Sequence, residues 1–418
     1  MVRVKPFRGI RPKAELAAEI SALPYDIMNR REAKAMAEGN AVSFLHISRA
    51  EIDFPDDIGD YDDCVYEKAK DNLSRFMKNG TLFMEETPVY YIYRETMGST
   101  VQTGLVAAVA VDDYENGAVM KHELTRKEKE QDRIRHFDVC NCHTEPVFLT
   151  YRHQDRIDAI VDQWVKDHPS VYDFVSEDNV GHTLWVMDAP DAIASLESSF
   201  RDLDKMYIAD GHHRTASAAA VGKLRREQCI QRIGVAPYDY FMAVIFPDRD
   251  LSIMAYNRVV RRPDGQSYEE ILASIKENFM VEKVEGLFYP TQKHEFGLYL
   301  RDSWYKLTAH DCLYCHDDPA KNLDASILQT TVLEPIFGIK DIRTDKRIDF
   351  IGGIRGNEEI VRRCHAENSI GFALYPVEIA DLMKISDSGK IMPPKSTWFE
   401  PKLRSGLFLH YLEDEFRG

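Results

Sequence analysis

Residues 205–229 read KMYIADGHHRTASAAAVGKLRREQC. The run 205–209 is short and apolar, as a buried strand requires. Asp210-Gly211 supplies the chemistry of a tight turn, and from His212 to about Cys229 an alanine-rich sequence favours a helix. A strand that turns directly into a helix is the repeating element of layered α/β folds.

The pattern recurs on both sides. Helices are expected over 14–23, stopped by Pro24, over 30–38, ended by Gly39-Asn40, and over 63–79, where Val65, Ala69, Leu73 and Phe76 form one apolar stripe. Further helices are expected over 125–136, 156–167, 325–337, 357–365 and 377–384. Strands are expected over 41–47, 182–187, 240–246, 251–254, 347–351 and 369–374, with 89–94 and 103–112 joined as a hairpin across a Gly-Ser turn. Residues 266–308 read as a helix followed by strands, the outline of a small subdomain or insertion, and no internal repeat is visible. The fold class is α/β in a mixed α+β arrangement. Its approximate regions are 1–155, 156–265, 266–310 and 311–418, gathered in one compact multi-lobed unit.

The 53 Lys and Arg against 69 Asp and Glu give a net charge of −16. An acidic surface repels nucleic-acid backbones, whose binding depends on Lys and Arg neutralising phosphates, so nucleic acid is disfavoured as a partner. The start, MVRVKPFRGIRPKAEL, has no apolar signal core, and no run approaches the roughly 18 apolar residues of a membrane span. A cytoplasmic protein without a membrane partner is the expectation. Seven cysteines, an odd number thinly spread, suit reduced thiols. Cys312-x-x-Cys315 beside His310 and His316, and Cys140-x-Cys142-His143, lie too far apart to read as one zinc site, and no zinc is expected.

The 210–214 box carries the strongest chemical signal. A helix start offers unpaired N–H groups and the positive end of a dipole to an anion. His212, His213 and Arg214 add two imidazoles and a fork able to grip two oxygens. Gly211 and Arg214 are therefore candidate phosphate ligands, and Asp210, His212 and His213 candidate catalytic groups. Asp210 is placed to hold Mg2+ or to accept a hydroxyl proton, where a simple helix cap would do neither.

Other boxes are weaker. Thr125 to Glu128 matches a capping box, and Lys129, Asp132, Arg133 and His136 share one helical face, as a salt-bridged surface helix also would. His122 and Glu123 just before it have no such local explanation, and the missing second His excludes a zincin. Met392-Pro-Pro-Lys395-Ser396-Thr397-Trp398 offers a rigid turn, a cation and two hydroxyls, and Lys402 and Arg404 extend its charge. Gly352-Gly353-Ile354-Arg355-Gly356 admits close backbone approach, Asn257 and Arg258 follow a strand, and Pro24-Tyr25-Asp26 places a carboxylate. No Walker, Rossmann, hydrolase or kinase signature is present.

Taken in order, PYD (24–26), KHELT (121–125) with K-x-x-D-R (129–133), ADGHHR (209–214), YNR (256–258), IDFIGGIRG (348–356) and MPPKSTWFEPKLRSGL (392–407) resemble the family catalogued as domain of unknown function 1015. Its members often carry the label of a SpoOJ (ParB) regulator. The DGHHR box is similar to that of free serine kinases of the ParB/sulfiredoxin-like superfamily. That resemblance implies ParB/sulfiredoxin-like core elements with added α/β subdomains, and it assigns nucleotide phosphates and the reacting hydroxyl to Asp210, His212, His213 and Arg214.

Two functions follow as expectations. The first is a small-molecule phosphotransferase, serine-kinase-like, using Mg2+ and ATP or ADP, with Lys395, Ser396 and Thr397 on phosphates. His122, Glu123, Thr125, Lys129, Asp132, Arg133, Asn257, Arg258 and Arg355 are then substrate or supporting residues. The second is a non-catalytic nucleotide-sensing regulator of ParB type, without the basic recognition helix that DNA contact would need. In either case the partner is a small phosphorylated ligand or nucleotide drawn into a basic pocket, and a homodimer stays open. The boxes at 121–133 and 392–404 are expected to converge on 210–214.

Overall fold

The computed structural model describes residues 1–229 and 234–416, and the chain divides into two compact units. The first comprises Met1–Lys121, Thr125–Leu251 and the segment from Pro401 onward. The second comprises His122–Leu124 and Ser252–Glu400.

The first unit is built on a nine-stranded sheet. Its strands are β1 (Val4–Lys5), β2 (Tyr90–Met97), β3 (Thr100–Ala110), β4 (Val119–Met120), β5 (Val147–Tyr151), β6 (Tyr172–Val175), β7 (Gly181–Met187), β8 (Met206–Asp210) and β9 (Tyr240–Pro247). They lie in the order β4-β8-β5-β9-β3-β2-β7-β6, with β1 on β3. The β4–β8 and β5–β9 pairs are parallel and the others antiparallel. β5 and β9 are buried along their whole length, which explains their largely apolar sequences, broken in β5 only by Thr150. The expected hairpin is present: Met97 pairs with Thr100 across Gly98-Ser99, and Gly98 takes a φ of 58° that suits glycine.

Helices α1 (Asp63–Lys78), α2 (Lys127–Cys140) and α3 (His212–Gln228) accompany this sheet. α3 contributes Ala218, Ala219 and Val221 to the sheet's core, while α1 buries its Val65, Ala69, Leu73 and Phe76 stripe in a second cluster. That cluster includes Ile10, Leu82, Cys142 and Leu409 from a small sheet of Gly9–Pro12, Leu82–Met84, Cys142–His143 and Leu409–Tyr411.

Three local expectations are corrected in this unit. Residues 41–47 are not a strand: Asn40 accepts the Val42 and Ser43 amides and turns the chain into a helical turn, Leu45–Ser48. A short apolar run has no period to separate the two states. The capping box at Thr125 does not form, because the Thr125 hydroxyl donates to Glu130 at 2.7 Å. The helix starts two residues later behind an extended Arg126, whose amide donates to His213 Nε2 at 2.9 Å. Third, the expected helix 14–23 ends early, at Ile20.

The second unit is a six-stranded antiparallel sheet of β10 (Tyr256–Arg261), β11 (Phe279–Val284), β12 (Glu295–Leu300), β13 (Ser303–Ala309), β14 (Ile348–Gly352) and β15 (Ser369–Leu374). The order is β11-β13-β12-β15-β10-β14. Helices Tyr268–Lys276, Glu358–Glu367 and Ile379–Asp387 accompany it, the first opened by a Ser267–Glu270 capping box. Two expectations change here. The strand 251–254 shrinks to Ile253–Met254, paired with Trp398–Phe399. The helix 325–337 is regular only over Asp324–Leu328 and then widens into a π-turn, Gln329–Leu333. The Thr330 and Thr331 hydroxyls donate back to carbonyls of Ser326 and Ile327, competition that loosens a helix.

The chain is thus a mixed α/β protein. Among the described residues no helix is long and apolar enough to cross a membrane.

Candidate functional site

The 210–214 box lies where β8 breaks off its ladder. Tyr207 and Ile208 pair with Thr150 and Leu149, but Asp210, not Ala209, opposes Phe148. Such a bulge re-aims the side chains that follow it. Gly211 then takes a φ of 91°, in the left-handed region, as the residue before α3. A Cβ there would stand 2.9 Å from Arg214 Nε, because the guanidinium folds back beneath the turn. Gly211→Ala is expected to cost about 1–3 kcal/mol from backbone strain and to displace Arg214; urea unfolding measures the first effect and anion titration the second.

Asp210 does not cap α3 with its side chain. Its Oδ1 accepts the Gly211 amide at 2.7 Å, and its Oδ2 pairs with Lys402 Nζ at 3.1 Å. Arg214 lies 3.9 Å from Oδ1. Burial alone would raise the Asp210 carboxyl, but the Lys402 and Arg214 charges outweigh it and hold the group well below the usual carboxylate range. Arg214 is buried, donates to the Pro146 carbonyl, and keeps Nε without a hydrogen-bond partner among the described residues. Burial opposes its charge, yet Asp26, Asp210 and Glu145 raise its pKa above the ordinary arginine value. His212 is buried. His213 is held below the usual histidine range by burial, against the pull of Asp26. Its neutral ring accepts the Arg126 amide at Nε2, which places its proton on Nδ1.

α2 brings a second cluster. Arg133 is buried with its guanidinium 4.0 Å from the Tyr25 ring centroid, its Nε donates to Asp132 at 2.9 Å, and its Nη1 has no hydrogen-bond partner. That nitrogen lies 3.8 Å from Glu145 Oε2, which is itself buried and unpartnered. Glu145 Oε1 accepts the Tyr25 amide and the Ser405 hydroxyl at 3.1 and 2.9 Å. Burial raises the Glu145 carboxyl, opposed by Arg133 and Arg214. Tyr25, Asp26, Arg30, Arg49, Lys129 and Arg133 border a polar cavity of about 440 Å³. Lys129 reaches the Tyr61 hydroxyl at its rim, 2.8 Å away. His136, although on the same helical face, binds the Ile47 carbonyl at 2.9 Å, and burial pushes its pKa down to about 3. It is a core residue.

Asp26 joins the two clusters. It lines the cavity, and among the acids its charge acts most strongly on both His213 and Arg214. Within this unit the expected convergence is therefore partly met, since Arg126 reaches His213 and Lys402 reaches Asp210. The expectation of a basic pocket is not met: the four acids Asp26, Asp132, Glu145 and Asp210 face three cations, Arg133, Arg214 and Lys402. Sequence reading missed Glu145 outright, because it stands in no local pattern, and took Lys402 only as added charge of the 392–404 box, without its carboxylate partner.

The other candidates belong to the second unit. His122 is buried and its carbonyl accepts the Met392 amide at 2.8 Å; Glu123 beside it is half-buried. Asn257 ties the sheet, donating to Asn357 at 3.0 Å and accepting the Leu374 amide at 3.0 Å. Arg258 is wholly buried, donates to the Tyr256 and Lys395 carbonyls, and is pushed down by burial to about 10. Lys395 is exposed at a left-handed φ of 61°, with Nζ 5.6 Å from the Tyr256 ring centroid. Ser396 donates to the Pro393 carbonyl at 2.6 Å, Thr397 is half-buried, and exposed Arg355 lies 3.9 Å from Glu359. All seven cysteines are free, and among the described residues no three His, Cys, Asp or Glu side chains group as metal ligands.

The chain belongs to the family described as protein of unknown function (DUF1015), whose family model matches residues 4–326. No curated protein matches it. Among solved structures, SbnI with a C-terminal truncation from Staphylococcus aureus is similar at 11% identity and a TM-score of 0.40, covering 75% of this chain and 90% of that one. A conserved hypothetical protein from Pyrococcus furiosus has 14% identity and a TM-score of 0.33, with 72% and 95% covered. A free serine kinase in complex with AMP has 14% identity and a TM-score of 0.33, with 72% and 92% covered.

Proposed function

We propose that the first unit is a small-molecule phosphotransferase, serine-kinase-like in its DGHHR box, that moves a phosphoryl group between ATP or ADP and a small hydroxyl-bearing metabolite. The observation that carries this reading is Arg214: a buried guanidinium folded beneath the start of a 17-residue helix, with an N–H that no acceptor among the described residues satisfies. A buried donor left unpaired costs about 1–3 kcal/mol, and a phosphate oxygen at the helix start would satisfy it. The adjoining cavity, bordered by Asp26 and Arg133, has the volume of a small-ligand pocket.

The same geometry separates the roles of the two candidate bases. Asp210, held far below the usual carboxylate range, is a weak base and a persistent anion. His213 is neutral and the better proton acceptor, once its Nε2 is released from the Arg126 amide. The donor set suits Mg2+ in the way such ions bind, through one carboxylate and the substrate's phosphates, with Asp210 as the protein ligand. Bound there, the ion would neutralise phosphate charge. Arg214 and the amides of His212 and His213 would orient the phosphoryl group, and Arg133, which borders the cavity, would attract the acceptor's anionic group.

One observation favours the second reading, a nucleotide-sensing regulator: both reactive groups are already engaged, Asp210 by Lys402 and His213 by Arg126. Phosphorus NMR of the protein with Mg2+, ATP or ADP and a panel of amino acids and hydroxy acids decides between them. Turnover is expected, with His213→Ala slowing it about 10²–10⁴-fold. Nucleotide binding with a flat panel would establish the sensor instead. Because His213 sits below the ordinary histidine value of about 6.5, the rate should hold as pH falls through that value and drop only at lower pH, where the ring protonates. A pH–rate profile whose acid limb lies at or above 6.5 would assign the base elsewhere.

A further inference from the structure

The second unit holds a cavity of its own, about 110 Å³, at the ends of β12 and β15. It has room for several waters and so for a small organic ion. Lys293, His316, Asp324, Asp381 and Lys384 line it, with Pro319, Leu323 and Val377 as apolar wall. Asp324 is 7% exposed. Its Oδ1 accepts the His294 amide at 2.9 Å, while Oδ2 has no hydrogen-bond partner among the described residues. The donor of that single bond is held in a costly state. His294 sits at a φ of 67°, fixed by its ring stacked 3.9 Å from Tyr314 and by its Nε2 on the Asn322 carbonyl at 3.2 Å.

The charges in the cavity divide unequally. Lys293 is fully used, bonding Asp381 at 2.8 Å and Glu378 at 2.9 Å. Lys384 has no carboxylate partner among the described residues, and neither has His316. What is left unmatched is one carboxylate oxygen of a largely buried aspartate and one cation at the rim. We propose that this cavity binds a small zwitterion of free-amino-acid type, its ammonium donating to Asp324 Oδ2 and its carboxylate facing Lys384 and His316. This site is independent of the phosphotransferase reading.

The pH response follows from what faces Asp324. Burial pushes its carboxyl up to about 7, opposed by the His294 amide, Lys293 and Arg258 and reinforced by Asp381; burial pushes the His294 imidazole down, against its bond to the Asn322 carbonyl. Only the ionised carboxylate pairs with an ammonium, so affinity should rise with pH, about tenfold between about pH 6 and about pH 8.

The test is calorimetric titration of the full chain with glycine, β-alanine, methylamine and acetate at those two pH values. The two amino acids should bind, methylamine more weakly by about tenfold, and acetate not measurably. Asp324→Asn should weaken the amino acids at least tenfold and remove the rise of affinity with pH. Lys384→Gln, an exposed change that leaves folding intact, should erase the advantage of the amino acids over methylamine. Binding of none of the four, equal binding of acetate, or amino-acid binding unchanged in Lys384→Gln would each overturn the proposal.

Discussion

Arg214→Ala is expected to be the most damaging single change in the first unit, lowering stability by about 3–5 kcal/mol and removing nucleotide binding from whatever remains folded. The guanidinium is the shared counter-charge of Asp26, Asp210 and Glu145, and Glu145 is wholly buried. Without it, Glu145 keeps Arg133 at 3.8 Å as its nearest cation, and the Pro146 carbonyl loses its donor. Arg214→Lys separates charge from shape: an ammonium preserves the neutralisation but cannot present the planar fork that reaches Pro146 and the turn together. It should recover much of the stability and little of the binding. Urea unfolding and calorimetric titration with ADP and Mg2+ report the two effects separately. An Arg214→Ala protein that is stable and binds ADP as the parent does would refute the role given to this residue.

How far this site could be read from the sequence depends on which residue is asked about. The apolar run 205–209, Asp-Gly and the alanine-rich stretch after it were legible because strand, turn and helix each leave a local mark, and β8 and α3 lie where those marks fall. The bulge at Ala209 leaves none, since it arises from pairing with β5. On α2 the spacing correctly put Lys129, Asp132, Arg133 and His136 on one face, but spacing reports direction and not depth. Arg133 ended buried on Tyr25, His136 in the core and Lys129 at a cavity rim. Glu145 could not be found, and Lys402 was seen only as a charge without its partner, because each acquires its role from residues distant along the chain: Tyr25 and Ser405 for one, Asp210 for the other. The helical turn at 45–48 was misread for the opposite reason, a local signal too short to have a period.

The net charge makes a related point. An excess of acids over the whole chain and boxes rich in His, Lys and Arg suggested basic islands in an acidic surface. The buried cations instead come with their own carboxylates, so a bare phosphate would enter a cluster in which acids outnumber cations and find no surplus of positive charge. A nucleotide accompanied by Mg2+ adds less net charge than the nucleotide alone, and nucleotide affinity should therefore depend strongly on the metal.

Lys402→Met tests that balance at its most accessible point. Lys402 Nζ, 3.1 Å from Asp210 Oδ2, engages the carboxylate that would hold a divalent cation. The Asp210 side chain is 35% exposed and keeps Arg214 and the Gly211 amide, so the loss should be smaller than for a fully buried pair, about 1–2 kcal/mol near neutral pH. The sign of its pH dependence is fixed. Asp210 lies lower in the folded chain than the unfolded value of about 3.9, so its stabilisation is complete above that value and disappears as pH falls through the folded one. The gap between parent and variant should therefore be full at neutral pH and shrink steadily in acid. In the same variant Asp210 is released to bind metal, and Mg2+ affinity, followed by titration in the presence of ADP, should rise even as stability falls. A stability gap that does not change with pH, together with unchanged Mg2+ affinity, would mean that Lys402 serves only to pack the end of the chain and that the Asp210 charge is governed by Arg214 alone.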